Sequence, residues 1–179
     1  MADSFTSNRW VYAAAYFGVC SVIILARLLP IDLVPGRFPG PDLLLCITFA
    51  WVLRRPHYVP TLLIAFVFLI ADMLFLRPPG LWTALVVLGV EFLRSREFTL
   101  REQSLTAEIL TVAAVYAAMA LGYRLVLAIF LVPQPGIGMT AVQVLATLIA
   151  YPVIVALSRL AFGVRPLSPV EADAIRRRR

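Results

Sequence analysis

Six apolar stretches, separated by short connections in which arginine, proline and glycine collect, confine this chain to a narrow set of structures. They run from Trp10 to Leu29, Asp42 to Leu53, Tyr58 to Leu76, Gly80 to Leu93, Leu105 to Val132 and Gly138 to Phe162. Several reach the roughly 20 residues that a helix needs to cross a hydrocarbon core. Backbone in lipid has to satisfy its own hydrogen bonds, so such stretches are read as helices. The expected fold is an all-α integral membrane protein, a compact bundle of about six transmembrane helices over residues 1–165, with a short basic tail over 166–179. Hydrophobic residues make up 61% of the chain, against roughly 45–50% in soluble domains.

All sixteen basic residues are arginine, and their placement orients the bundle. With six crossings the connections fall on two sides. One side holds Arg9, Arg54, Arg55, Arg94, Arg96, Arg101, Arg159, Arg165 and the four arginines from Arg176 to Arg179; the other holds Arg27, Arg37, Arg77 and Arg124. Arginine favours the cytoplasmic side, so both termini are expected in the cytoplasm. The net charge of +6 then calls for anionic lipid at the span ends rather than nucleic acid.

The connections are legible in part. A polar leader, Met1 to Asn8, precedes the first span. Pro30, Pro35, Pro39, Pro41, Gly36 and Gly40 make the first connection a stiff loop. The segment after it is only about 18 Å long at helical rise, and crosses a bilayer only if its ends are thinned or neighbours cover it. Pro41 and Asp42 open that segment, with the carboxylate placed to cap it. Pro60 falls in the first turn of the third helix, and Pro79 with Gly80 turns the chain into the fourth. Thr99 and Glu102 match a capping box, so the fifth helix is expected to begin there. Pro152 predicts a kink in the sixth. Trp10, Trp51 and Trp82, all near span ends, are placed as interfacial anchors.

Ionisable side chains inside spans usually face protein or water and mark functional candidates. Asp72, Arg27 and Arg124 form one layer, and Glu91, Arg159 and Glu108 form a layer at the other end. Asp72 is expected to pair with Arg27 or Arg124, and Glu91 with Arg159. These are structural or coupling charges. Asp72 and Glu91 lie at opposite ends of adjacent helices, which excludes the close carboxylate pair of a hydrolase. Arg94, Arg96 and Arg101 are candidate cytoplasmic contacts. The small-residue row in the fifth span, Ala114 and Ala118 above all, is a candidate partner face, because small residues let helices approach closely in lipid. Cys20 and Cys46 have neither disulfide nor metal spacing, and His57 stands without ligand neighbours. No nucleophile, phosphate-loop or dinucleotide motif is present. The expectation is therefore a protein with no catalytic residues, metal or cofactor.

The run Pro39, Gly40, Pro41, Asp42, Leu43, Leu44, Leu45, then Phe49, Ala50, Trp51, Val52, Leu53, Arg54, Arg55, Pro56 resembles the rod shape-determining MreD family. So do Phe68 to Leu74 with the late Asp72, the turn Arg77, Pro78, Pro79, Gly80, Leu81, and the last span with Tyr151, Pro152 and Arg159. The family pattern is a short Pro-Asp-Leu helix ending in Arg-Pro, an apolar helix with a late Asp, and a Pro-x-Gly turn. Two positions depart from it: Leu76 stands where many relatives carry glycine, and Arg77 replaces a small residue.

The resemblance implies a non-catalytic, multi-pass subunit of the cell-elongation machinery in the bacterial inner membrane, controlling cell shape and peptidoglycan synthesis. Its implied partners are a bitopic MreC-like protein, and with it the filament MreB, the glycosyltransferase RodA and a class B penicillin-binding transpeptidase. The family is also similar in shape to substrate-binding membrane subunits of vitamin importers, which sets a small-molecule binder as the alternative.

Overall fold

The computed structural model describes residues 2–29, 40–54, 58–96, 105–134 and 136–162. Among them all regular secondary structure is helical, in six helices: α1 (Ala2–Leu28), α2 (Leu43–Arg54), α3 (Thr61–Leu74), α4 (Leu81–Ser95), α5 (Leu105–Ile129) and α6 (Ile137–Phe162). Three are long and apolar enough to cross a membrane, through Trp10–Leu28, Thr106–Ile129 and Ile137–Leu160. The others are shorter, at 12, 14 and 15 residues.

The short α2 is the centre of the molecule. Every residue from Leu44 to Arg54 is buried. It packs chiefly on α6, and also touches α1 and α4. Aliphatic and aromatic side chains on all faces of one helix leave it no polar side to present to solvent, so it goes inside. Polar atoms fix its register. The backbone N–H of Asp42 donates to Thr147 Oγ1 at 2.9 Å, the Cys46 thiol to the Thr147 carbonyl, and the Trp51 indole N–H to Ser158 Oγ at 3.3 Å. On the α1 side, Tyr16 and Thr48 share a 2.8 Å hydroxyl bond. The neighbours thus cover the 12-residue helix that is too short to face lipid along a full span.

The outside of the bundle is apolar as well. Val22 and Leu25 on α1, Leu62 and Phe66 on α3, and Leu145, Ile149, Val153 and Leu157 on α6 are all exposed. On α6 these recur every fourth residue, a stripe on the face opposite the buried Thr147, Tyr151, Val155 and Ser158. A helix apolar on both its core face and its outer face is the pattern of a lipid-facing helix.

The end of the bundle reached by α3 and α5 is made by specific turn chemistry. At the end of α3, Leu76 N–H donates to the Met73 carbonyl and Arg77 N–H to the Asp72 carbonyl. The end of α5 repeats the pattern, Leu131 N–H to Ala128 and Val132 N–H to Leu127. These paired reverse bonds satisfy the last carbonyls of a helix and require a left-handed residue after the cap, usually glycine. Here Leu76 (φ 54°) and Leu131 (φ 53°) adopt it.

Several expectations change. Helix α1 begins at Ala2, so the leader is helical rather than a separate polar segment; each residue added to a formed helix gains a hydrogen bond. Pro60 is the N-cap of α3, just outside its first turn. Trp10 is exposed, but Trp51 is fully buried and Trp82 nearly so. Because α2 is central, its end lies inside protein, and Trp51 has no interface to reach. The first connection (30–39), Arg55 to His57, the Thr99 and Glu102 capping box, and the tail lie outside the described residues.

Candidate functional site

Polar side chains gather at the two ends of the bundle, with an apolar groove between them. At the Arg54 end, α2, α5 and α6 are joined by one buried ion pair. The Arg54 guanidinium lies 3.0 Å from Glu108 Oε1 and also donates to Oε2 at 3.3 Å, and Tyr151 OH donates to Oε1 at 2.6 Å. Arg54 is 2% exposed. A charge this deep is tolerated only with a partner, and Glu108 is the partner. Sequence places Glu108 in the same layer but offers it no mate, because Arg54 at a span end reads as a charge facing lipid headgroups. Its position on a central helix turns it inward.

The expected pair of Glu91 with Arg159 does not form. Glu91 is exposed and sits 3.5 Å from Arg94, three residues along α4, and it accepts a 2.7 Å bond from Thr61 Oγ1. Arg159 is exposed at the end of α6. Arg94 also donates to Thr61 Oγ1 and to the Val59 carbonyl, so it ties the end of α4 to the start of α3. Arg96 is exposed, with its guanidinium 5.0 Å from the Phe92 ring centroid. Arg101 lies outside the described residues.

Asp72 likewise does not pair with an arginine. It is fully buried in the last turn of α3, and its Oδ2 accepts from the Thr83 backbone N–H at 3.1 Å and the Thr83 hydroxyl at 2.8 Å. Thr83 is the third residue of α4. The N-cap of α4 is Gly80, at φ 85°, which has no side chain to offer the free amides of the first turn. Asp72 supplies the missing cap from the preceding helix, with its charge at the positive end of the dipole. Its backbone carbonyl meanwhile closes α3 by accepting from Arg77. One residue therefore ends one helix and starts the next across Pro78, Pro79 and Gly80.

The two arginines expected beside Asp72 are engaged elsewhere. Arg27, half-buried, donates to the Pro41 carbonyl, and Arg124 donates to Thr140 Oγ1 at 2.9 Å. Asp42, 3% exposed, accepts from the Leu45 N–H at 3.3 Å and so caps α2. Around these residues lies a cleft of about 360 Å³, walled in part by Asp42, Arg77, Trp82, Tyr123 and Arg124.

Midway along α4 and α5 lies the groove, an almost wholly apolar hollow of about 330 Å³. Leu88, Gly89 and Phe92 line it from α4; Ala114, Ala118 and Met119 line it from α5. Ala114 and Ala118 are exposed, whereas Ala113 and Ala117 are partly covered. Gly89 brings the helices together: a Cβ there would lie 2.8 Å from Met119 Sδ and 3.1 Å from Val115 Cγ1. Among the described residues no group of three or more His, Cys, Asp or Glu side chains is placed to hold a metal ion.

Comparison of the chain with protein-family models, with curated proteins and with solved structures finds no match.

Proposed function

We propose that this chain is a non-catalytic scaffold of the bacterial inner membrane, of the MreD kind, that docks the transmembrane helix of a bitopic MreC-like protein in its α4–α5 groove. In this reading all six helices lie across the bilayer, the termini are cytoplasmic, and the docked helix links cytoplasmic MreB filaments to RodA and its transpeptidase at the wall. The observation that carries the reading is the groove itself. Helix association in lipid has little hydrophobic drive and depends on close van der Waals packing over small residues. Ala114 and Ala118 stand exposed on the floor of a hollow at mid-depth of the bundle, where only lipid or another helix can fill it.

The experiment is co-purification from native membranes in mild detergent, with partners identified by mass spectrometry. The double variant Ala114→Leu, Ala118→Leu fills the hollow from within. It should abolish recovery of the bitopic partner while leaving the melting temperature of the isolated protein within a few degrees. Equal loss of partner and of stability would assign the alanines to internal packing and remove the groove from the docking role. Recovery of an ATPase module in place of the bitopic protein would favour the importer-type subunit.

A further inference from the structure

We infer that the cleft at the Pro41 end of the bundle is a binding site for a phosphate group carried on a larger, partly apolar body. The site is separate from the α4–α5 groove, and nothing about the groove's occupant enters the inference.

Three observations converge. The first is charge. Arg77, from the α3–α4 turn, and Arg124, from α5, line the same cleft. Among the described residues the one carboxylate on its wall, Asp42, holds the first turn of α2 through the Leu45 amide. Arg77 rests on aromatic faces, with its guanidinium carbon 5.7 Å from the Trp82 ring centroid and 5.5 Å from that of Phe75. No carboxylate among the described residues lies within ion-pair distance of it. A guanidinium held by stacking alone keeps its N–H fork available, and that fork matches phosphate oxygens in pairs.

The second observation is an orphaned donor. Trp82 is 7% exposed, lines the cleft, and its indole N–H is buried with no hydrogen-bond acceptor. A buried donor left unmade costs about 1–3 kcal/mol, and Trp N–H groups usually find partners when buried. An acceptor oxygen entering the cleft would relieve it.

The third is the character of the walls. Trp82 meets Tyr123 and Tyr116 edge to face, and Leu127 and Val132 add aliphatic surface. A volume of about 360 Å³ lies at the small end of ligand pockets, roughly 300–1,000 Å³, which are mostly apolar with a few placed polar groups. Two guanidiniums supplied from different elements, a turn and a helix, suit the several oxygens of one phosphate better than the two of a carboxylate. Such a group could be the head of an anionic phospholipid, since Leu76 at the rim is 94% exposed, or a soluble organic phosphate.

The test is native mass spectrometry of the purified full chain in detergent, titrated with dioctanoyl phosphatidylglycerol, the phosphate-free lipid dioctanoylglycerol and glycerol 3-phosphate. One saturable phosphatidylglycerol adduct is expected, favoured over dioctanoylglycerol. Glycerol 3-phosphate binding alone and displacing the lipid would name a soluble phosphate as the source; failure to displace it would name the lipid. Arg77→Gln should weaken the adduct about tenfold or more, the loss of one charge-assisted hydrogen bond. Trp82→Phe keeps an aromatic face and removes the indole N–H along with the pyrrole ring, so it decides the matter if Arg77→Gln does not fold. Equal binding of the two lipids, no binding by any of the three compounds, or unchanged affinity in folded Trp82→Phe together with folded Arg77→Gln would overturn the site.

Discussion

Asp72 shows how a single buried carboxylate can be read correctly as important and wrongly as to its partner. An acid in a span suggested an opposite charge, because burying a lone charge is costly. The structure offsets part of that cost with dipoles instead, the backbone N–H and hydroxyl of Thr83 at the start of α4 on Oδ2, while Oδ1 is buried without a hydrogen-bond partner. The signal lay in Gly80: a helix start with no capping side chain of its own implies a cap from elsewhere. Asp72→Ala should therefore cost about 1–2 kcal/mol or more of stability, while Asp72→Asn, which keeps an acceptor, should cost less. Exchanging Asp72 and Arg124 should rescue neither charge reversal, as measured by thermal melting in detergent; rescue would restore the ion pair and discard the cap. Leu76 carries a second prediction at this scale. A leucine in left-handed backbone costs about 1–2 kcal/mol, and glycine gives back part of that as chain entropy. Leu76→Gly should stabilise the protein by about 0.5–1 kcal/mol, seen as a higher melting temperature. No gain would mean that the exposed leucine side chain contributes more at the membrane surface than its backbone loses.

At the level of helices, most of the architecture was legible and most of the pairing was not. Five of the six segments lie within a few residues of their helices because proline, glycine and arginine punctuate the apolar runs, and these residues act locally. Only α1 extends well past its segment. What periodicity could not supply was rotation. Helices apolar on every side carry no stripe that says which face meets which neighbour, so α2 could not be recognised as central, nor Arg54 as facing Glu108. The consequence is testable at the α2, α5 and α6 junction. Glu108→Gln leaves Arg54 buried without its charge partner and should cost about 3–5 kcal/mol. Tyr151→Phe removes one hydrogen bond to a charged acceptor, about 1.5–3 kcal/mol. If Glu108→Gln proved no more harmful than Tyr151→Phe in chemical or thermal unfolding, water would have to be supplying Arg54 with a substitute, and the junction would be open rather than sealed.

For the whole molecule the arrangement of ends matters more than any one contact. Leu76 and Leu131, in the turns after α3 and α5, stand 94% and 90% exposed, while Arg96 ends α4 at the opposite pole. On the proposed reading, the excess of arginine around Arg54, Arg94 and Arg159 would make that pole cytoplasmic by the positive-inside rule. Cys20 and Cys46 are both buried, so neither should react with a membrane-impermeant maleimide and the native chain serves as its own blank. On intact spheroplasts the reagent should label Leu76→Cys and Leu131→Cys, and should reach Arg96→Cys only after the membrane is opened. Labelling of Leu76→Cys and Arg96→Cys from the same side would mean that α4, at 15 residues, does not cross, and would leave the three long helices as the only spans. Inverted labelling would keep the six crossings but reverse them, and would turn the phosphate cleft and its two arginines toward the cytoplasm. The predicted pattern instead puts the cleft at the outer leaflet and leaves the α4–α5 groove at mid-depth, where a partner's transmembrane helix can reach it from within the bilayer.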